Sequence, residues 1–277
     1  MIILVGVIDK DAWCKDNRKN LYVLDVNGLY RIPYPLGRAE ALVDEDVMPT
    51  FTDDLNLNPQ TQRITLGFDP GRKQILISVS NIQDGTNTNY IYDLVTQGFF
   101  PEKYPDDCSP YSLHFYNADE PEYRQLLVGC SDGYLRIFDD SAKNDDDGTA
   151  VPVAIDSYVL LGPTQIGRNV DTDGKTREFT FLTAGGAAGG SIGDSSDLDY
   201  EIFFADNAEE IIEMQEAAER DPLFEDTVSA PGRSYRETLK GSGVFMGVRI
   251  GNETAGETWG IERVTVEVDD AGRTKKL

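Results

Sequence analysis

The stretch Leu126-Leu-Val-Gly-Cys-Ser-Asp-Gly-Tyr-Leu-Arg-Ile-Phe-Asp139 carries the plan of the first half of the chain. Two short apolar runs, Leu126 to Val128 and Tyr134 to Phe138, flank Ser131-Asp132-Gly133. Strand-forming runs on either side of a Ser-Asp-Gly turn predict a tight antiparallel hairpin, with Gly133 supplying the positive φ that such a turn needs. Asp139 and Asp140 then take the chain out of the sheet.

The same plan recurs upstream. Asn20 to Leu24, the turn Asp25-Val26-Asn27-Gly28 and Leu29-Tyr30-Arg31-Ile32 predict a hairpin around Asn-Gly, the strongest short-range turn signal. Next come Arg63 to Phe68, the turn Asp69-Pro70-Gly71-Arg72, Gln74 to Val79, Tyr90 to Asp93 and Gly98 to Phe100. Strand, turn, strand, loop, strand and a short aromatic strand are the plan of a four-stranded antiparallel blade. Tyr111 to Phe115 opens the unit that holds the first hairpin, and Ile155 to Leu161 is a further strand. Corresponding strands at Ile64 and Leu113 lie about 50 residues apart, within the range of propeller blades. The acidic connector 44–58 has room for one helical turn around Thr52 to Leu55. Three units are visible, whereas propellers take about four to eight, so the ring is expected to be incomplete within this chain.

Near Gly162 the character changes. Arg177 to Thr183 alternates as a strand, Ala184 to Ser196 is a small-residue loop, and Tyr200 to Phe204 is a strand. Asn207 or Asp206 caps a helix over Ala208 to Glu219, which ends before Pro222. Ser234 to Leu239, Gly243 to Ile250 and Trp259 to Val268 complete an antiparallel sheet, and Asp269 to Leu277 reads as a solvated tail. The expected fold is therefore mostly β. Propeller-like antiparallel blades fill residues 1–165, and a small β-sandwich-like domain with one helix, 208–219, fills 166–277.

Lysine and arginine total 25 against 49 aspartates and glutamates, a net charge of -24. Such a surface repels nucleic acid and anionic lipid, which argues against sequence-specific nucleic-acid binding and against membrane insertion. Cys14, Cys108 and Cys130 are odd in number and scattered, so they read as small buried apolar residues in a reducing compartment. Met1 to Ile8 lacks the basic flank and cleavage pattern of a signal peptide and reads as a buried first strand.

Residues that carry chemistry are sparse. His114, the one histidine, lies in the apolar pattern Leu113-His114-Phe115 and reads as structural; a single histidine cannot build a His-rich metal site. Asp145-Asp146-Asp147-Gly148 and Asp171-Thr172-Asp173-Gly174 resemble the start of calcium loops. Both lack the bidentate glutamate of an EF-hand, which leaves Asp145, Asp146 and Asp147 as weak metal candidates and acidic turn chemistry as the competing explanation. Paired carboxylates suited to glycoside hydrolysis are guaranteed by chance among so many acids. Gly185 to Gly190 lacks the strand-to-helix context of a phosphate loop, and the aromatic residues read as blade filling.

Two sets of residues taken together resemble a known group. One is Leu21-Tyr22-Val23-Leu24 with Asn27-Gly28-Leu29-Tyr30-Arg31, then Gly67-Phe68-Asp69-Pro70-Gly71-Arg72-Lys73-Gln74 and Tyr90-Ile91-Tyr92-Asp93. The other is Tyr200 to Glu210, Pro231-Gly232-Arg233, Thr258 to Arg263 and Gly272-Arg273. In that order they resemble the C-terminal half of propeller-containing virion proteins of tailed bacteriophages, found in the neck, nozzle or tail. The resemblance covers nearly the whole chain. It implies a structural virion protein that is no enzyme, carries no cofactor and no catalytic residue, and is made in the host cytoplasm. It also implies a homo-oligomer held among other tail, neck or portal-proximal subunits around the DNA passage. The missing blades would come from another chain, or the ring would be open and pack on a neighbour. The alternatives are a carbohydrate- or receptor-binding propeller module and, behind it, a glycosidase.

Overall fold

The computed structural model describes residues 5–35, 37–43, 48–105, 108–139, 142–145, 151–170, 172–185, 195–230, 232 and 234–274. The chain is mostly β, its sheets are antiparallel, and it divides into two compact units, Met1–Asp140 and Ser141–Leu277.

In the first unit, short turns between apolar runs force each strand back beside its predecessor, so every sheet is a simple meander. The first blade is β1 (Trp13–Lys15), β2 (Leu21–Asp25), β3 (Gly28–Ile32) and β4 (Glu40–Ala41), paired in that order. The second is β5 (Gln62–Asp69), β6 (Gln74–Asn81), β7 (Asn87–Asp93) and β8 (Phe99–Glu102), again in order. The β5–β6 turn is held by Asp69, whose Oδ1 accepts from the Gly71 N–H at 2.8 Å. The third blade has three strands, β9 (Pro110–Tyr116), β10 (Gln125–Cys130) and β11 (Leu135–Ile137), with β10 in the middle.

Alternation along these strands gives each blade two faces, and the faces stack. Ile64, Ile75 and Ile77 of the second blade pack against Tyr22, Leu24 and Leu29 of the first. On its opposite side, Leu76 and Ile91 pack against Leu126, with Leu113, Phe115 and Phe138 around them. Strand β6 is covered on both faces, so Ile75 through Ser80 are all buried, polar Ser78 and Ser80 included. Ser80 resolves its burial by donating to the Pro110 carbonyl of the third blade at 2.8 Å. These two blades also come close at Gly67, where an added Cβ would stand 2.7 Å from the Leu113 Cβ. Helix α1 (Met48–Leu55) occupies the acidic connector and inserts Phe51 and Leu55 into the first core, the Phe51 ring 5.2 Å from Tyr90 and 5.0 Å from Phe99.

The β10–β11 hairpin is the one read from Leu126 to Asp139. Leu127 faces Ile137, Gly129 faces Leu135, and Gly133 has φ +87°. Asp132 fastens the turn by accepting from the Tyr134 N–H at 3.0 Å and pairing with Arg136 at 2.7 Å. That guanidinium, with the Tyr134 amide, holds the Asp132 carboxyl below the ordinary aspartate range. A lowered folded-state pKa stabilises the hairpin above the unfolded value of about 4, and the contribution is lost as pH falls through the folded value. Amide exchange at Gly133 and Tyr134 is therefore expected to accelerate as pH drops below about 4, after correction for intrinsic rates, and Asp132→Asn is expected to remove that dependence.

In the second unit, one sheet has the order β12 (Ser157–Gln165), β18 (Phe245–Asn252), β14 (Leu198–Ala205) and β15 (Phe224–Val228). The other centres on β13 (Thr172–Thr183), flanked by β16 (Ser234–Glu237), β17 (Ser242–Gly243) and β19 (Ile261–Thr274). Their inner faces meet in a core of Phe179 and Phe181 against Leu198, Tyr200, Ile202, Val248 and Ile250, with Phe181 stacked on Tyr200 at 4.7 Å. This is the expected sandwich. Helix α2 (Ala208–Glu216) is capped by Asn207, whose Oδ1 accepts from the Glu210 N–H at 2.8 Å, and lies on β18 over Gly247.

Several expectations need correction. The boundary falls at 140/141 and not near 165, because Ser157–Gln165 pairs with Phe245–Asn252 and belongs to the sandwich. The chain holds two α-helices among the described residues, the connector having closed more than one turn. Helix 208–219 stops at Glu216: Ala217 is extended, no basic residue offsets the negative end of the helix dipole, and Pro222 disfavours helix at Asp221. Residues 5–8 of the expected first strand are not strand, and Val7 is half exposed. The expected solvated tail is strand as far as Thr274, which pairs with Thr172. Most of the loop 184–196 lies outside the described residues.

Candidate functional site

Sequence-derived candidates are not brought together. Asp145 forms an isolated antiparallel bridge with Val153, and burial raises its carboxyl above the ordinary range. Asp146 and Asp147 lie outside the described residues, as does Asp171. Thr172, Asp173 and Gly174 open strand β13, with Gly174 opposite Gly243, so they do not form the start of a calcium loop. Among the described residues no group of three or more His, Cys, Asp or Glu gathers as a metal site. Cys14, Cys108 and Cys130 are buried, and burial pushes the Cys14 and Cys130 thiols up. No helix among the described residues is long and apolar enough to cross a membrane.

The second unit contains an open cleft of about 510 Å³ lined in part by Tyr200, Arg220, Phe224, Glu225, Asp226 and Glu237. At its base the Tyr200 hydroxyl donates to Glu237 at 2.5 Å. Burial, followed by this carboxylate, drives the phenol well above its ordinary range. Arg220 is held at the rim by Glu201 at 2.7 Å. Behind it, Arg249 is 7% exposed and stands among Asp156 at 3.0 Å, Glu253 at 3.5 Å and Glu201 at 3.8 Å, with its guanidinium 4.3 Å from the Tyr158 ring centre. These groups tie β12, β14 and β18 together at one end. The sequence signal was a lone cation in the apolar strand Gly243 to Ile250, and alternation alone gave it no partner.

The third blade shows a different kind of feature. Its inner face, through Leu126, Leu113 and Phe138, is packed on the second blade. Its outer face is formed by Ser112, His114 and Tyr116 on β9, Gln125, Leu127 and Gly129 on β10, and Leu135 and Ile137 on β11, which the register places in shared rows. Leu135 is 73% exposed, Tyr116 50% and Ile137 48%. His114 is exposed on this face and is not a core residue. None of the eight residues is charged, in a chain where 27% are. The face sets exposed Tyr116, Leu135 and Ile137 beside polar Ser112, His114 and Gln125.

No protein-family model matches the chain, and no curated protein matches it. Among solved structures, the chain is similar to an exo-beta-1,3-galactanase from Phanerochaete chrysosporium at a TM-score of 0.28 and 9% identity, over 92% of this chain and 67% of that one. The expectation that the chain is no enzyme is corrected at this point, because the neighbour is a glycosidase. A likeness of that size assigns no activity in turn, and the fold rests on the strand pairing described above.

Proposed function

We propose that the chain is a structural component of a tailed-bacteriophage particle, placed in the tail, nozzle or neck and assembled with other virion proteins around the DNA passage. The observation that supports this reading is the blade stack, among the described residues two four-stranded blades and a three-stranded one, which ends in a face that exposes Tyr116, Leu135 and Ile137 and carries no charged side chain on its strands. Such an end is suited to a neighbouring subunit. The net charge of -24 fits the same role, since an acidic wall lets a polyanion slide past without binding counterion-releasing cations. The chain is expected to be recovered in purified particles, at a copy number matching one symmetry of the tail or neck, by quantitative mass spectrometry. Absence from intact particles overturns the reading.

A further inference from the structure

We propose that the cleft of the second unit takes the guanidinium of an arginine side chain from another polypeptide, held between Asp226 and Glu237. The cleft is lined from both sheets of the sandwich, and among the described residues β15 is the edge strand of one sheet and β16 of the other. Register fixes which way their side chains face. Asp226 stands opposite Tyr200, between Phe224 opposite Ile202 and Val228 opposite Leu198, and every one of these but Asp226 belongs to the core. Glu237 stands opposite Phe179, and Tyr235 opposite Phe181, again on the core side. Each edge strand therefore carries a carboxylate where alternation in a sandwich places an apolar side chain.

Among the described residues neither carboxylate is paired with a cation. The nearby arginines are engaged elsewhere, Arg220 with Glu201 at 2.7 Å and Arg236 with Glu178 at 3.6 Å. Glu237 accepts from the hydroxyl of Tyr200, a residue 2% exposed that reaches the cleft from the core. Glu237, then burial and Asp226, hold the Tyr235 phenol above its ordinary range, so the two carboxylates act on one spot. Like charges that converge repel, and a cation between them relieves the repulsion. The walls select an organic cation. A hard metal ion asks for six or more oxygens, and among the described residues no three ligating side chains gather. Pro222, Leu223, Phe224 and Leu239 form the rest of the lining, with Leu223 57% exposed, and suit an aliphatic stem. A planar guanidinium donates to two carboxylates at once and lies against aromatic rings, which an ammonium does less well. The site lies wholly in the second unit and does not depend on a particle.

The test is calorimetric titration of the full chain with the capped peptide Gly-Ser-Arg-Ser-Gly and with two counterparts, one carrying lysine and one carrying uncharged citrulline in place of arginine. The arginine peptide is expected to bind with a Kd of about 1 mM in about 0.05 M salt and about fivefold more weakly in about 0.5 M salt. The lysine peptide is expected to bind more weakly than the arginine peptide, and the citrulline peptide not to saturate. D226N and E237Q keep the shape of each side chain, and E237Q keeps an acceptor for Tyr200; each is expected to weaken binding about tenfold. D119N/E122Q removes two exposed carboxylates from the first unit and is expected to leave binding unchanged, which separates the cleft from the net charge of -24. Inward charges at sheet edges also guard against edge-to-edge pairing. Aggregation of D226N/E237Q, with no saturable binding of the arginine peptide to the parent, leaves that guard as their role and overturns the proposal. Binding that citrulline or lysine matches, or that D119N/E122Q weakens as much as D226N does, overturns it too. If D226N or E237Q does not fold, amide shifts in the wild-type chain decide: they are expected at Tyr200, Glu225 and Glu237, and shifts confined to other residues overturn the proposal.

Discussion

Arg249→Ala is expected to destabilise the second unit by about 3 kcal/mol, near the low end for breaking a buried ion pair. Arg249 itself is 7% exposed, so its charge is tolerated only because carboxylates surround it. Two of those partners are well solvated, Asp156 at 42% and Glu253 at 59% exposed, and their attraction is discounted for screening. The third, Glu201, is 17% exposed and retains Arg220 after the substitution, which limits the cost. What is lost besides charge is the guanidinium packed over Tyr158, so Arg249→Lys is expected to recover only part of the stability. The reporter is Trp259, whose Nε1 donates to Ser157 Oγ on β12 at 2.7 Å; with Trp13→Phe in the background it reads the second unit by itself. A denaturation midpoint in Arg249→Ala equal to that of the parent shows the cluster to be an exposed ornament with no part in holding β12, β14 and β18.

Local chemistry explains what could be read from the sequence. Asn27-Gly28, Asp69 to Arg72 and Ser131 to Gly133 each specify a turn within a few residues, so the meanders and their registers followed from neighbouring residues. The same holds for Asn207, whose side chain caps a helix that begins at the next residue. Partners distant in sequence were not legible. Ser157 bonds to Asn252, 95 residues away, and nothing in its own pattern separates a fourth strand of a blade from the edge of a sandwich. Alternation likewise gives Leu135 and Ile137 a shared face without saying whether anything covers it. The candidate site suffers the same limit. Arg249 and Glu201 meet only because β14 and β18 pair, with Glu201 directly opposite Arg249. The acidic run 145–147 is ambiguous in sequence because aspartates in turns and aspartates in metal loops look alike.

Gly67→Val is expected to cost about 3 kcal/mol or more in the first unit, at or above the usual range for overpacking. The added Cβ would stand 2.7 Å from the Leu113 Cβ and 3.1 Å from Leu126 Cδ1, and both neighbours are held in a core between two sheets. They cannot yield as a surface side chain would. Relief has to come from moving β9 and β10 away from β5, which strains the Ser80 hydroxyl bond to Pro110 and opens the packing of Leu76 and Ile91 on Leu126. Leu113→Ala by itself leaves a cavity at the same place and is also destabilising, by about 2 kcal/mol for this partly buried leucine. Joined in one chain, the two changes are expected to cost less than their sum, by about 1 kcal/mol, because alanine removes the Leu113 Cδ1 that would stand 3.2 Å from the added Cβ and so makes room for the valine methyls, although it keeps the Cβ. Urea unfolding followed through Trp13, with Trp259→Phe in the background, measures all four corners of this cycle. Strict additivity shows that Gly67 and Leu113 do not touch, and the stacking of the second blade on the third falls with it. A negative coupling of the expected size fixes the spacing of those blades, and with it the orientation in which the third blade turns Leu135 and Ile137 away from the stack.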